Sequence, residues 1–595
     1  MMTGAKIIAT LGPASDTPDV VGDLYEAGMD VARVNLSHGD RRDHRRAAAL
    51  VRGVQASARQ VTGRPLALML DTRGPEIRVT GPATPLDVSR GVLLQILDPG
   101  GAQEGQHPDR ITVSVSGLHQ RVVPGTRISI RDGQIGLEVE EVGRDHMWAR
   151  VLNPGTIARN DKIAFPGIRL DLPFLSGKDR GDLQLAVDMD VDWVALSLVQ
   201  DAANILEVRD FLCEQGGDDL ALVAKIETLG GYQNLESILL VADAVMIARG
   251  DLVVDFAPEE IPLVQKDIIL RCNRAGIPVI TATQMLESMI TSPVPTRAEA
   301  SDVANAIMDG TDAVMLSGET AIGQYPVEAV GVMARIVQKM EIQRTRSATW
   351  RDHSEPDSAH TITDAVAGAA VRIADELAAE AILTPTQSGH TARRVARYRP
   401  GVPIIAATTS EKRLRQLALV WGVRPLIGTS SVDPAGRAAE DALAAGLLHP
   451  GDLVVVTSGA PGGLPGTTDT VHVTILGTVL LRGSGIGRAS AVGRACVEVD
   501  DAEQLQPPPS ADDILVLKTW KAKFAGFAHL ALAIICEEAG LSSPAALVGL
   551  DLQVPVVVDA QGATQRIKPG ETITVDAARG VVYTGKASLG GQKNP

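Results

Sequence analysis

Between residues 221 and 328 the chain carries the runs ALVAKIETLGG, ADAVMIARGDLVV, GIPVITATQMLESM and DAVMLSGETA, and each apolar stretch stops at polar residues. Lys225 and Glu227 close the first, Arg249 and Asp251 the second, Thr283 the third, Ser317 and Glu319 the fourth. Residues two apart on a strand point to the same side, so Lys225 and Glu227 face one way. A carboxylate there and Asp251 one strand later can share a hard divalent cation. Mg²⁺ takes one or two carboxylates and fills its shell with water and substrate oxygens. The alternative is a structural ion-pair cluster; the convergence of three such strand ends favours a site.

The elements that must position these groups follow from the same runs. Helix-length segments separate them, and strands alternating with helical patterns imply βαβ units around a parallel sheet. Runs that are apolar throughout imply strands buried on both faces. Further strands are expected at Lys6–Leu11, Val31–Leu36, Leu66–Leu70 and Trp193–Ser197, joining Ala221–Ile226, Ala244–Ala248, Pro278–Ala282 and Ala313–Leu316. That is eight, the count of a (β/α)8 TIM barrel, whose active face lies at the strand C-termini. Arg33, Asn35, Ser37 and His38 then sit at or near the end of the second strand, and Asp71 and Thr72 at the end of the third. From about Val79 to Leu170 short alternating runs such as ITVSV, TRISI and GLEVEEV imply a small all-β module, inserted where a lid would be. Past Met340 a polar break leads into a new α/β pattern, and past Gly477 a β segment and a Pro-rich linker lead into one more module.

Composition narrows the function. Apolar residues make up 45% of 595, enough for a sizeable core in more than one domain, and only 3% are aromatic. The net charge of −16 argues against broad nucleic-acid binding, which needs a basic footprint. A phosphorylated ligand can still enter a local positive pocket. Cys213, Cys272, Cys496 and Cys536 lack metal-ligand spacing and fit a reducing cytoplasm. The start, MMTGAKIIATLGPAS, lacks the pattern of a signal peptide, and the apolar run Leu530–Cys536 is too short to span a bilayer.

The motifs AKIE, ARGDL, ITATQMLESM, PTRAEASDVANAIMDGTDAVMLSGETA and YPVEAV, contiguous and in order, resemble those of pyruvate kinases. The resemblance implies a TIM barrel over residues 1–78 and 171–340 and an inserted β-barrel lid over 79–170. It further implies an α/β effector-type domain over 341–477 and a C-terminal swivelling-type β/α extension over 478–595. It implies phosphoryl transfer from phosphoenolpyruvate to ADP in glycolysis, by a cytoplasmic homotetramer using Mg²⁺ (or Mn²⁺) and K⁺. Glu227 and Asp251 match the Mg²⁺ ligands, and Lys225 the cation beside the phosphoryl group in flight. Such transfer is mostly positioning and electrostatics, so a fixed cation beside the metal is the part needed. Arg33 matches the ligand of the substrate phosphate, for which an arginine offers a bidentate fork. The backbone at Gly250 and Asp251 is expected to bind the substrate carboxylate. Thr283 matches a residue near the reactive carbon; whether it or a water delivers the proton is open. Asn35, Ser37, Asp71 and Thr72 match the K⁺ site, and Glu76 in the DTxGPE motif implies K⁺ dependence. Asn35, Ser37, His38 and Arg78 fall on the nucleotide side. Thr386, Ser388, Gly389 and Thr391 precede a helical segment, where small hydroxyl residues make either an ordinary N-cap or a phosphorylated effector's anion site.

The chain departs from the family at several points. SFVR is SLVQ at Ser197–Gln200, DTKGPE has Arg73, RGDLGVE is RGDLVVD at Val253 and Asp255, KIEN ends in Thr228, and the lid's KGVNLP is DKIAFP, shifting Lys162 by one position. The tail from Ser542 resembles the mobile phosphohistidine domain of phosphoenolpyruvate-utilising enzymes, but Pro544 stands where that family has its histidine, and His529 lies outside the motif. Proline has no nucleophile, which argues against a dikinase that uses the tail as carrier and for a structural or regulatory appendage. A catalytically silent sensor is the other rival; the intact KIE, RGD, ATQ and DT motifs argue against it.

Overall fold

The computed structural model describes residues 4–61, 63–99, 109–131, 133–168, 172–346, 361–431, 433–459, 468–476, 479–487, 489–499 and 504–585. They fall into two compact units, Met1–Ser358 with Lys412–Pro425, and Ala359–Glu411 with Leu426–Pro595. Most of the polar break after Met340, and the expected boundaries at 170/171 and 477/478, lie outside the described residues.

In the first unit, β1 (Lys6–Leu11), β2 (Val31–Asn35) and β3 (Ala67–Asp71) open a barrel, and the chain then leaves it. It makes β4 (Ile77–Gly81), β5 (Leu86–Val88), β6 (Leu93–Leu97), β7 (Arg110–Val113), β8 (Arg127–Ile130), β9 (Ile135–Val142), β10 (His146–Val151), β11 (Gly155–Ile157) and β12 (Lys162–Ala164). It returns for β13 (Trp193–Leu196), β14 (Ala221–Ile226), β15 (Ala244–Ala248), β16 (Val279–Ala282) and β17 (Ala313–Leu316). The eight strands β1–β3 and β13–β17 close a parallel barrel, and seven of the inserted strands close a second, smaller one, with β5 and β11 paired apart. The expected strands are present, with ends shifted by at most a residue. The insert begins earlier than expected, at Ile77, so Arg78 lies on its first strand.

Period-2 alternation sorts each barrel strand into two cores. Ile7, Ala9, Ala32 and Leu68 pack outward against helices, while Ile8, Val31, Ala67, Met69, Trp193 and Val223 fill the barrel's interior. The same parity carried to the strand ends puts Thr10, Arg33, Asp71, Ser197 and Lys225 in the top interior layer. The interior cluster also contains Ala418 and Leu419, from the segment expected in the third domain. That segment belongs to the first unit: Arg415 pairs with Asp192 at 2.6 Å, Gln416 donates to the Asp192 carbonyl at 3.0 Å, and Trp421 Nε1 donates to Glu341 at 2.9 Å.

Local chemistry explains the helices around the barrel. The helix Arg297–Asp309 starts at Thr296, whose hydroxyl accepts from Glu299 N while the Glu299 carboxylate accepts from Thr296 N. It stops at Gly310, φ 100°, a backbone that glycine adopts without a Cβ penalty.

In the second unit, Ala381–Pro385, Ile404–Thr408 and Leu453–Ser458 run parallel, with Thr470–Ile475 antiparallel at their side. The extension is built on Ser490–Val499, which pairs in parallel with Asp513–Leu517, followed by Ala533–Cys536 and Val556–Val558. No helix among the described residues is long and apolar enough to cross a membrane.

Candidate active site

The top interior layer is one hydrogen-bonded set. Lys225 Nζ, from the end of β14, lies 3.0 Å from Asp71 Oδ1, 2.9 Å from Glu227 Oε1 and 2.6 Å from Ser197 Oγ. Asp71 holds a second cation through its other oxygen: Arg33 Nε donates at 2.8 Å and Nη2 lies at 2.6 Å. Arg33 Nη1 donates to Thr10 Oγ1 at 2.9 Å, so the guanidinium is locked in plane. Glu227 accepts from Leu198 N at 2.7 Å through its second oxygen. All of Arg33, Asp71, Lys225 and Glu227 are buried.

Burial shapes the charges, because it penalises every ionised group that is not paired. For Lys225 that penalty is outweighed by Asp71 and Glu227, and its pKa ends above the usual lysine value. For Asp71 the penalty is outweighed by Lys225 and Arg33, and its carboxyl ends below the usual range. For Glu227 burial prevails over Lys225 and, with the Asp251 charge adding to it, pushes the carboxyl up to about 7. The corner shared by Glu227 and Asp251 is thus short of positive charge.

The lid supplies part of the missing charge. Lys162, on β12, pairs with Asp251 and lies 3.9 Å from Glu76 Oε1. Burial would lower it, but Asp251 and Glu227 hold its pKa above the usual value. Asp255 ties the same two modules: Oδ1 accepts from Gly167 N at 3.0 Å and Oδ2 from Leu229 N at 2.8 Å.

The other expected residues distribute as follows. Asn35 is the register partner of Asp71 across β2 and β3, and its Oδ1 accepts from Ser37 N at 3.0 Å. Thr72 accepts from Ser197 at its carbonyl, 2.7 Å, and at its hydroxyl, 3.4 Å. Thr283 stands against Gly250: a Cβ on that glycine would come within 2.8 Å of Thr283 Cγ2. Arg78 bonds Glu76 and donates to the Asn160 carbonyl at 2.7 Å. His38 is exposed, its carbonyl 2.7 Å from His44 Nε2. In the second unit, Gly389 N donates to Thr386 Oγ1 at 2.9 Å and His390 N to Ser388 Oγ at 3.4 Å, while Thr391 Oγ1 lies 2.7 Å from Thr468 Oγ1.

Three participants stand at strand ends in the sequence but carry no role there. Ser197, on interior parity with Trp193, links Lys225 to the Thr72 carbonyl. Arg249 donates to the Thr283 carbonyl at 2.7 Å, and Glu319 accepts from Leu286 N at 3.0 Å and Ser317 N at 2.7 Å. Among the family departures, Leu198 keeps its backbone bond to Glu227, and Val253 is exposed. Pro544 occupies the first turn of the helix Pro544–Leu552, capped by Ser543.

The donor set fits the implied cations. Among the described residues no three His, Cys, Asp or Glu side chains gather as a metal cage. Two carboxylates, Glu227 and Asp251, are what a Mg²⁺ that keeps water and substrate oxygens requires. Asn35, Ser37, Asp71 and Thr72 offer amide, hydroxyl and carboxylate oxygens from two adjacent strands, a hard-oxygen set suited to K⁺.

Comparison with known proteins gives the family. Family models match in three places: "Pyruvate kinase, barrel domain" at residues 2–330, "Pyruvate kinase, alpha/beta domain" at 364–474, and "PEP-utilising enzyme, mobile domain" at 509–580. A pyruvate kinase of Bacillus licheniformis is 41% identical over 596 residues, and one of Geobacillus stearothermophilus 43% over 598, each alignment covering 99% of this chain and 100% of the relative. The crystal structure of a pyruvate kinase from Cryptosporidium parvum superposes with a TM-score of 0.73 at 35% identity, covering 80% of this chain and 96% of that one. Strand-end chemistry, a lid inserted after the third strand and full-length similarity place this chain in the pyruvate kinase family, phosphotransferases of glycolysis.

Proposed function

We propose that the chain transfers the phosphoryl group of phosphoenolpyruvate to ADP at the Lys225 cluster, giving pyruvate and ATP. The observation that carries this reading is that Asp71 holds Arg33 and Lys225 side by side, both buried. Arg33, fixed by Asp71 and Thr10, binds the substrate phosphate. Lys225, kept charged by Asp71 and Glu227, faces the phosphorus as its bond to the enol oxygen breaks and the bond to the ADP oxygen forms. Both cations are in place before substrate arrives, so little reorganisation is needed at the moment of reaction. Glu227 and Asp251 would hold Mg²⁺ (or Mn²⁺), which supplies charge neutralisation on the phosphoryl oxygens when bound. Asn35, Ser37, Asp71 and Thr72 would hold K⁺, and Glu76 makes the activity depend on it. The Gly250–Asp251 backbone takes the substrate carboxylate. The enolate left behind takes a proton at carbon on the Thr283 side. Asn35, Ser37, His38 and Arg78 contact the nucleotide, and Lys162 closes the lid over Asp251.

The family resemblance supports a cytoplasmic homotetramer. Thr386, Ser388, Gly389 and Thr391 are assigned to a phosphorylated effector, whose oxygens would replace the local bonds those hydroxyls now accept.

Pyruvate formation from phosphoenolpyruvate and ADP is the test. Activity with Mg²⁺ that rises on adding K⁺ is expected. Equal rates with and without K⁺ would remove the K⁺ assignment, and no activity under any effector would leave a fold kept for binding alone.

A further inference from the structure

Thr283 and Gln284, the two residues that follow β16, both have left-handed backbone, φ 74° and 57°. For a β-branched threonine this is an outlier. Such conformations persist where the surroundings over-determine them, and they concentrate at functional sites. The surroundings here are chiefly one buried side chain. Arg249 Nη2 donates to the carbonyls of Thr283 at 2.7 Å and Gln284 at 3.4 Å, and Nε to those of Ala282 and Thr283, both at 3.3 Å. Nη1 is taken by Asp302 at 2.8 Å and Gln265 at 3.3 Å. The whole fork is committed inside the protein, so Arg249 does not offer itself to a ligand. On its other side Thr283 is seated against Gly250, where a Cβ would meet Thr283 Cγ2 at 2.8 Å.

We propose that Arg249 is a positioning residue: by gripping three consecutive carbonyls it sets the Thr283 side chain at the reactive carbon, and so governs protonation of the enolate rather than phosphoryl transfer. The inference rests on the reading of Thr283 given above. In that step the enolate's carbon takes a proton from the Thr283 hydroxyl or a water it holds, the carbonyl forms, and solvent returns the proton. Arg249 touches none of the reacting atoms. It acts through the backbone, which fixes where the hydroxyl stands.

The reverse of that step removes a methyl proton from pyruvate. It is followed separately as exchange of the pyruvate methyl hydrogens with deuterated water, by NMR, with the full chain, Mg²⁺, K⁺ and ATP present. Arg249→Lys keeps a charge opposite Asp302 but loses the fork. Exchange is expected to fall at least tenfold in Arg249→Lys and in Thr283→Ala, with the KM for phosphoenolpyruvate changing less than threefold. The double variant is expected to fall no further than Thr283→Ala alone, because one residue acts through the other. Losses that multiply overturn the proposal, as does parental exchange in Arg249→Lys when Thr283→Ala has lost it. Parental exchange in Thr283→Ala overturns the Thr283 reading itself, and this inference with it. Asp302→Asn leaves the carbonyl bonds intact and guards against a folding effect. Exchange within threefold of the parent is expected there, and a tenfold loss would assign the effect to the ion pair and sink the proposal.

Discussion

Replacing Lys225 by methionine separates two things the cluster does. The substitution keeps an unbranched stem of similar reach and removes the charge. Lys225 touches three oxygens, at 3.0, 2.9 and 2.6 Å, and is only 8% exposed. Removing one partner of a buried ion pair costs about 3–5 kcal/mol when the other charge is stranded. Here the loss falls at or below the low end. Asp71 retains Arg33 at 2.6 Å, and Glu227, already pushed up to about 7, can take a proton. The variant should therefore fold, with a melting point lowered by a few degrees. Catalysis loses far more. A cation facing a transferring phosphoryl group is worth roughly 10³–10⁵ in rate, and a thousandfold loss corresponds to about 4 kcal/mol of barrier. We expect kcat for pyruvate formation to fall at least a thousandfold, while the KM for phosphoenolpyruvate changes less than tenfold because Arg33 remains. Coupled pyruvate assays and thermal melts on the same preparation measure both effects. A folded variant with kcat within tenfold of the parent would refute the assignment of Lys225 to the phosphoryl in flight.

Thr386→Ala with Ser388→Ala should abolish activation by a sugar phosphate or nucleotide without changing the basal rate; undiminished activation would remove the effector assignment. Asp513 in the extension is held below the usual carboxylate range by its bonds to Arg494, at 3.0 and 2.8 Å, which with Ser510 outweigh the burial that opposes them. A depressed carboxyl stabilises the fold above its unfolded value of 3.8 and loses that contribution as pH falls below it. The melting-point deficit of Asp513→Asn should thus be full at pH 7 and shrink below about pH 4; a deficit independent of pH would contradict it. Incubation with phosphoenolpyruvate should leave no phosphohistidine at His529, which mass spectrometry checks.

The barrel is legible because its strands are continuous apolar runs separated by helix-length segments; within them interior residues recur every second position, and the same count carries Arg33, Asp71 and Lys225 into the top layer. Ser197 obeys that count from Trp193, although its SLVQ segment departs from the family motif. Lys162 shows in the sequence only as a residue displaced by one position, since its partner Asp251 lies 89 residues away on another module. Arg249 was visible as a polar strand end, but its target is a row of backbone carbonyls, which carry no side-chain signature. Thr386 and Ser388 fit both a cap and an anion site because the local bonds of a cap and the donors of an anion site use the same residue types.

Ala418 and Leu419 form part of the barrel's interior cluster, although they lie more than seventy residues beyond its last helix, Pro326–Arg346. As the chain emerges from the ribosome, the eight strands are complete at residue 316, but two members of the interior cluster, Ala418 and Leu419, arrive only later. Domains tend to fold as units, N-terminal first, during synthesis. This barrel gains the last members of its interior cluster only after the first strands of the next sheet are made. A chain cut after residue 346 would keep every strand of the barrel yet lack Arg415 against the buried Asp192, leaving an acid without that partner beneath an incomplete core. The unit of folding is thus longer than the unit of chemistry, and the barrel with its lid should not be expressible as an independent enzyme.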